Sequence, residues 1–183
     1  MPAELTGWST GQRWLHWGIA LLVVSTFVLG LVMVALPLEQ LTEKFFAYQY
    51  HKSLGLMVLG LMAWRVGLRL WRGRPADEAA LPEWQKRAAA VGHFLLYALL
   101  ILVPVLGYLS ACSAPVEVPT TLFLYVLVPH VIGQNEALYN VLRPVHEVAA
   151  WSLVLMALGH AGMAVIHHRA GMPTLRRMWR GVV

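Results

Sequence analysis

The sequence predicts an all-α membrane protein built as one four-helix transmembrane bundle. Three observations carry that expectation. Of 183 residues, 58% are hydrophobic and only 13% charged, against about 25% charged in a soluble domain. Four apolar runs are each long enough to cross a bilayer, which takes about 17–25 helical residues. The 14 Lys and Arg residues also gather at one end of those runs, the asymmetry that orients helices in a membrane.

The first span is expected from about Trp14 to Leu36, with Ser9 or Thr10 as its cap and Pro37 as its stop. A polar loop, Glu39–Lys44, leads to a second span from about Phe45 to Trp71, whose last turns carry Arg65 and Arg69. Arg72 follows directly, and Arg74–Lys86, with Pro75 and Pro82, is a polar connection. The third span covers about Ala88–Leu109, with a kink at Pro104. The fourth covers about Pro144–His168, ahead of a basic tail, Arg169–Val183. Between the last two spans, the apolar stretch Leu122–Ile132 is short for a crossing and is interrupted by Pro129. It reads as an interfacial or re-entrant segment, about 120–133.

Charge tests this count. With four spans, Arg13, the Arg65–Arg87 cluster and the Arg169–Arg180 tail share one side, eleven cations against Lys44, Lys52 and Arg143 on the other. A fifth span would move the tail across and break the positive-inside tendency. The expectation is a multi-pass protein of a bacterial inner (cytoplasmic) membrane, both termini cytoplasmic. The net charge of +5 and pI near 9.7 then reflect orientation and anionic lipid, not nucleic acid. A cleaved leader is not expected, because no charged n-region precedes a short apolar stretch and a cleavage site. The single cysteine, Cys112, excludes an internal disulfide, a thiolate iron–sulfur cluster and a C-x-x-C-H attachment.

Ionisable side chains inside a bilayer are costly and so point to function. His146 and His160 are fourteen residues apart on one span, which returns them to within about 40° of one face and separates them by about 21 Å. The topology places His51 near the outer face with His146, and His16 near the inner face with His160. Each pair comes from two different spans, the arrangement by which bundles clamp cofactors. Two b-type haems, one above the other, are therefore expected, with the four imidazoles as axial ligands to iron. Such bis-histidine sites carry electrons and leave no open position for dioxygen. Zinc would need three or four ligands at one depth. His93, about six residues into the third span from Lys86–Arg87, competes with His16 for the inner site; its other roles are a propionate or quinone hydrogen bond, or packing. His130 reads as a solvated loop residue, and Trp14, Trp17 and Trp64 as interface or packing residues.

Several short strings occur in order along the chain: R-W-L-H-W at Arg13–Trp17, H-K-S-L-G at His51–Gly55, G-H-F-L-L-Y at Gly92–Tyr97 and P-V-L-G at Pro104–Gly107. H-E follows at His146–Glu147, G-H at Gly159–His160 and H-H at His167–His168. The ordered set resembles the bacterial cytochrome b561 family of small di-haem membrane proteins. That resemblance implies axial ligands at His16, His51, His146 and His160, and favours His16 over His93. It also implies a superoxide:ubiquinone oxidoreductase-like enzyme, taking electrons from superoxide at the outer face and reducing ubiquinone at the inner side. A positive patch would attract superoxide, and Lys44, Lys52 and Arg143 are the outer cations for steering it or for pairing haem propionates. Glu39, Glu43, Glu117, Glu136 and Glu147 share that side and dilute the field. Quinone reduction consumes two protons, for which His93, His167 and His168 are candidates. The alternative is a cytochrome b subunit linking a hydrogenase, a dehydrogenase or a periplasmic redox protein to the quinone pool.

Overall fold

The computed structural model describes residues 8–73 and 81–180, so part of the connection expected at Arg74–Lys86 and the last residues of the tail lie outside the described residues. Four long helices dominate: α1 (Thr10–Ala35), α2 (Leu41–Arg72), α3 (Glu83–Ser113) and α4 (Glu136–Arg169). All four are long and apolar enough to cross a membrane. A six-residue helix, α5 (Thr174–Trp179), follows. Helix α1 packs on α2, α2 on α3 and α3 on α4. Phe27 and Trp151, ring centres 4.8 Å apart, join α1 to α4.

Helix α1 starts where a capping box allows it. The Ser9 hydroxyl accepts from the Gln12 amide, and the Gln12 side chain accepts from the Ser9 amide, so two amides that a helix start leaves unpaired are satisfied. Pro37 ends α1 by excluding a further helical hydrogen bond, and Lys44 Nζ donates to the freed Leu36 carbonyl. Helix α4 starts at Glu136, capped by the Asn135 side chain, eight residues before Pro144. The helix is therefore longer than its apolar span, and Pro144 lies within it. Pro104 likewise lies inside α3.

Little of this bundle is buried in protein. The tight centre is Ile19, Val58 and Met62, with Leu15, Leu22, Leu61, Tyr97 and Leu100 packed around it. Leu21, Val24 and Val28 on α1, and Leu155 and Leu158 on α4, are exposed. Helices apolar on every side suit a hydrocarbon solvent, not water.

The segment between α3 and α4 folds as a β-hairpin. Strands β1 (Thr120–Leu122) and β2 (Val126–Val128) pair antiparallel, Thr121 opposite Leu127. Phe123 and Leu124 take positive φ in the connecting turn. The expected interfacial piece is thus two short strands rich in β-branched residues. Polar groups on α2 hold it. Buried Gln49 donates to the Pro119 carbonyl and accepts from the Thr121 amide and hydroxyl. Ser53 donates to Thr121 O and accepts from the Phe123 amide. Gln49→Ala would leave buried hairpin groups unpaired, each costing roughly 1–3 kcal/mol. It is expected to lower the unfolding temperature in detergent and open the hairpin to proteolysis; an unchanged digestion pattern would mean that other contacts hold it.

The bundle thus has two distinct ends. At the hairpin end lie His51, His146 and the strands. At the terminal end, α5 docks on the start of α1 through Arg13 Nη1 to Trp179 O and Trp17 Nε1 to Met178 O, 2.9 and 3.1 Å.

Candidate functional site: two histidine layers in the bundle

Fourteen residues separate His16 from Gly30, His51 from Arg65, His93 from Gly107 and His146 from His160. Each long helix therefore brings one residue to each of two layers, about 21 Å apart. The hairpin-end layer is Gly30, His51, Gly107 and His146. The terminal-end layer is His16, Arg65, His93 and His160.

In the hairpin-end layer, the His51 and His146 ring centres stand 6.3 Å apart with their planes at 90°. Each ring is fixed the same way by the preceding helix. His51 Nδ1 donates to Thr26 O and His146 Nδ1 to Val103 O, both 2.9 Å. A carbonyl can only accept, so the proton is on Nδ1 and Nε2 keeps its lone pair for a metal, the outer-shell arrangement typical of ligating histidines. One turn beyond each carbonyl comes a glycine against the ring. A Cβ on Gly30 would lie 3.0 Å from His51 Cε1, and one on Gly107 only 2.8 Å from His146 Cε1. The two halves, α1–α2 and α3–α4, thus repeat one device.

In the terminal-end layer, His160 faces two partners. His16 lies 6.2 Å from it, ring centre to ring centre, and His93 lies 5.3 Å from it. Neither His167 nor His168 makes a ring contact with this cluster among the described residues; they lie two turns further along α4, about 10 Å. Arg65 joins the layer from α2. Its Nε donates to the Tyr97 hydroxyl at 3.0 Å and its Nη1 to Gln12 O at 3.1 Å. The Arg69 guanidinium lies over the same tyrosine, 5.2 Å from the Tyr97 ring centre.

These spacings can be compared with what iron requires. A first-row metal sits about 2 Å from an imidazole nitrogen, and the ring centre about 1.1 Å behind it, so a metal between two facing imidazoles sets ring centres roughly 6.3 Å apart. His51–His146 and His16–His160 fit that distance. His93–His160 is about 1 Å too short to admit a metal between the rings. Among the described residues, no group of three or more His, Cys, Asp or Glu could hold a metal by itself. The donor set therefore suits a cofactor that brings its own equatorial ligands, as a porphyrin does.

The three cations at the hairpin end differ. Lys44 is tied to Leu36 O, and Lys52 donates to Pro119 O at 2.9 Å, anchoring the hairpin. Arg143 stands exposed near Asn140, Pro144 and Glu147. His130 is half-buried, its Nε2 3.1 Å from the Thr120 hydroxyl, and so is held in the hairpin instead of solvated. Cys112 is buried. Sequence reasoning missed Gly30, Gly107 and Arg65. The fourteen-residue interval noticed on α4 would have found all three had it been sought on the other helices.

A helical membrane bundle with histidines paired at metal-spanning distance defines a class, the multi-pass b-type cytochromes that transfer electrons. The chain matches the sequence model of the prokaryotic cytochrome b561 family over residues 7–181. It is 33% identical over 168 residues to cytochrome b561 homolog 2 of Escherichia coli (strain K12), covering 89% of this chain and 86% of that protein. Cytochrome b561 homolog 1 of the same organism is 27% identical over 161 residues, covering 87% of this chain and 89% of that protein. The chain belongs to the prokaryotic cytochrome b561 family, a family of membrane electron-transfer proteins that implies b-type haem.

Proposed function

We propose that the chain is a di-haem cytochrome that carries electrons across the bacterial inner membrane, oxidising superoxide at the periplasmic face and reducing ubiquinone at the cytoplasmic side. The observation that carries this reading is the pair of imidazole couples, at 6.3 and 6.2 Å, stacked about 21 Å apart. His51 and His146 hold the outer haem; His16 and His160 hold the inner one. Bound haem would supply a one-electron relay between the two layers. The hairpin end faces the periplasm, because the eleven clustered cations then face the cytoplasm.

The protein's own part is positioning and charge. Thr26 O and Val103 O fix the ring tautomers at the outer layer. Arg143 is the cation best placed to attract superoxide, since Lys44 and Lys52 are engaged by backbone carbonyls. Two superoxide anions give two dioxygen molecules and two electrons; one ubiquinone takes those electrons with two protons from the cytoplasmic side. His93, beside His160 but too close to share a metal with it, suits proton delivery there. His167 and His168, further along α4, line the proton's approach from water.

Stopped-flow mixing of superoxide with the oxidised protein tests the reading. Fast haem reduction that slows with salt is expected, because exposed charges are screened over about 8–10 Å at moderate ionic strength. Arg143→Gln should cut the second-order rate by about tenfold and flatten its salt dependence, within the range of steering effects. Haems inert to superoxide but reduced by a protein donor would favour the second reading, an electron-transfer subunit linking a hydrogenase, a dehydrogenase or a periplasmic redox partner to the quinone pool. The hairpin favours that alternative, since it exposes Tyr125, Val126 and Leu127 in a patch that a partner could cover.

A further inference from the structure

The two layers are built on the same helical interval, yet they differ in one respect that bears on electron flow. Where the outer layer has two histidines and two glycines, the inner has three histidines and Arg65. Arg65 is partly buried and lies at the depth of the inner couple. Its guanidinium is tied to α1 through Gln12 O, one turn from His16, and to α3 through the Tyr97 hydroxyl, one turn from His93. It is within electrostatic reach of His16, His93 and His160. Among the described residues it has no carboxylate partner. A cation at membrane depth with no counter-charge is unfavourable, and it is held here by two hydrogen bonds that fix where the charge sits. The outer layer has no equivalent on its helices: Lys52 is turned to the hairpin and Arg143 is exposed.

We propose that Arg65 is a positioning residue for charge: its fixed guanidinium raises the reduction potential of the inner haem above that of the outer one and so sets the inward direction of electron transfer. This rests on the di-haem reading above. Adding an electron to the inner site lowers its net charge by one, and a neighbouring positive charge in a low-dielectric interior favours that state. The transfer itself is one electron from the outer to the inner site, with no proton moved. Tyr97 and Gln12 keep the guanidinium from turning toward the cytoplasmic water, as a free arginine near a helix end would.

Spectroelectrochemical titration of the purified holoprotein tests this without measuring turnover. The unsubstituted protein should titrate as two components, and the one lost in His160→Ala identifies the inner haem. Arg65→Gln should move that component alone to lower potential, with haem content unchanged. Arg65→Lys, which keeps the charge and loses the two-sided anchoring, should retain most of the potential. Tyr97→Phe should shift it less than Arg65→Gln. The proposal is overturned if Arg65→Gln leaves both components in place, shifts both equally, or shifts no further than Arg65→Lys. Should Arg65→Gln not assemble, Arg65→Met carries the same test with no buried amide. Loss of haem in both neutral variants would make Arg65 a structural residue and overturn its tuning role. A haem-to-polypeptide ratio below two in the unsubstituted protein would sink the di-haem reading itself, a different failure from two haems with unmoved potentials.

Discussion

Replacing His146 with alanine is expected to halve the haem content, removing the outer haem and leaving the inner. His51 would then be the outer layer's sole imidazole, held by Thr26 O but with nothing opposite it at 6.3 Å. The inner couple, about 21 Å away, shares only helix α4 with the lost site. The measurement is the haem-to-polypeptide ratio together with the reduced visible band, which should simplify to one component. His16→Ala should do the converse and remove the inner haem, whereas His93→Ala should keep both. That contrast follows from two distances, since 6.2 Å admits a metal between His16 and His160 and 5.3 Å between His93 and His160 does not. An unchanged ratio in His146→Ala would refute the outer pairing. Retention of the inner haem in His16→Ala with loss in His93→Ala would reverse the inner one.

Much of this is legible in the amino-acid sequence, and the reasons are physical. A chain with so few charges has four stretches that water cannot solvate, so the four helices follow from composition and length. Depth follows from helical rise, so His51 could be matched with His146 and His16 with His160 without knowing how the helices pack. The choice between His16 and His93 was a different matter. Both sit near one end of a span, and periodicity along each helix does not say which faces His160 at what distance. Only the relative placement of α1, α3 and α4 separates 6.2 from 5.3 Å. The hairpin was hidden because Leu122–Val128 is an unbroken apolar run, and a short apolar run does not distinguish strand from buried helix. Lys44 and Lys52 read as cations for steering superoxide or pairing propionates because sequence does not reveal that Leu36 O and Pro119 O lie within reach of them.

The glycines lead to the second large effect. Gly107→Ala is expected to weaken retention of the outer haem by about 10–100-fold, the range seen when outer-shell partners of a metal-ligating histidine are changed. All four paired histidines would still be present. The added Cβ would stand 2.8 Å from His146 Cε1 and 3.1 Å from Nδ1, closer than carbon atoms in contact, which prefer about 3.5–4.0 Å. The ring cannot yield without lengthening its hydrogen bond to Val103 O, and it cannot turn without carrying Nε2 away from the layer's centre. Backbone retreat is opposed by the packing of α3 on α4. Gly30→Ala should act in the same direction on His51, but less, because its Cβ would meet that ring at 3.0 Å. Titrating apoprotein with haem in detergent gives the ranking: unsubstituted tightest at the outer layer, Gly30→Ala weaker, Gly107→Ala weakest, with the inner layer unchanged in all three. Equal outer-haem affinity in all three would mean that these helices part to admit a methyl group. The glycines would then be ordinary small residues of a membrane bundle and not the backing against which the ligands are set.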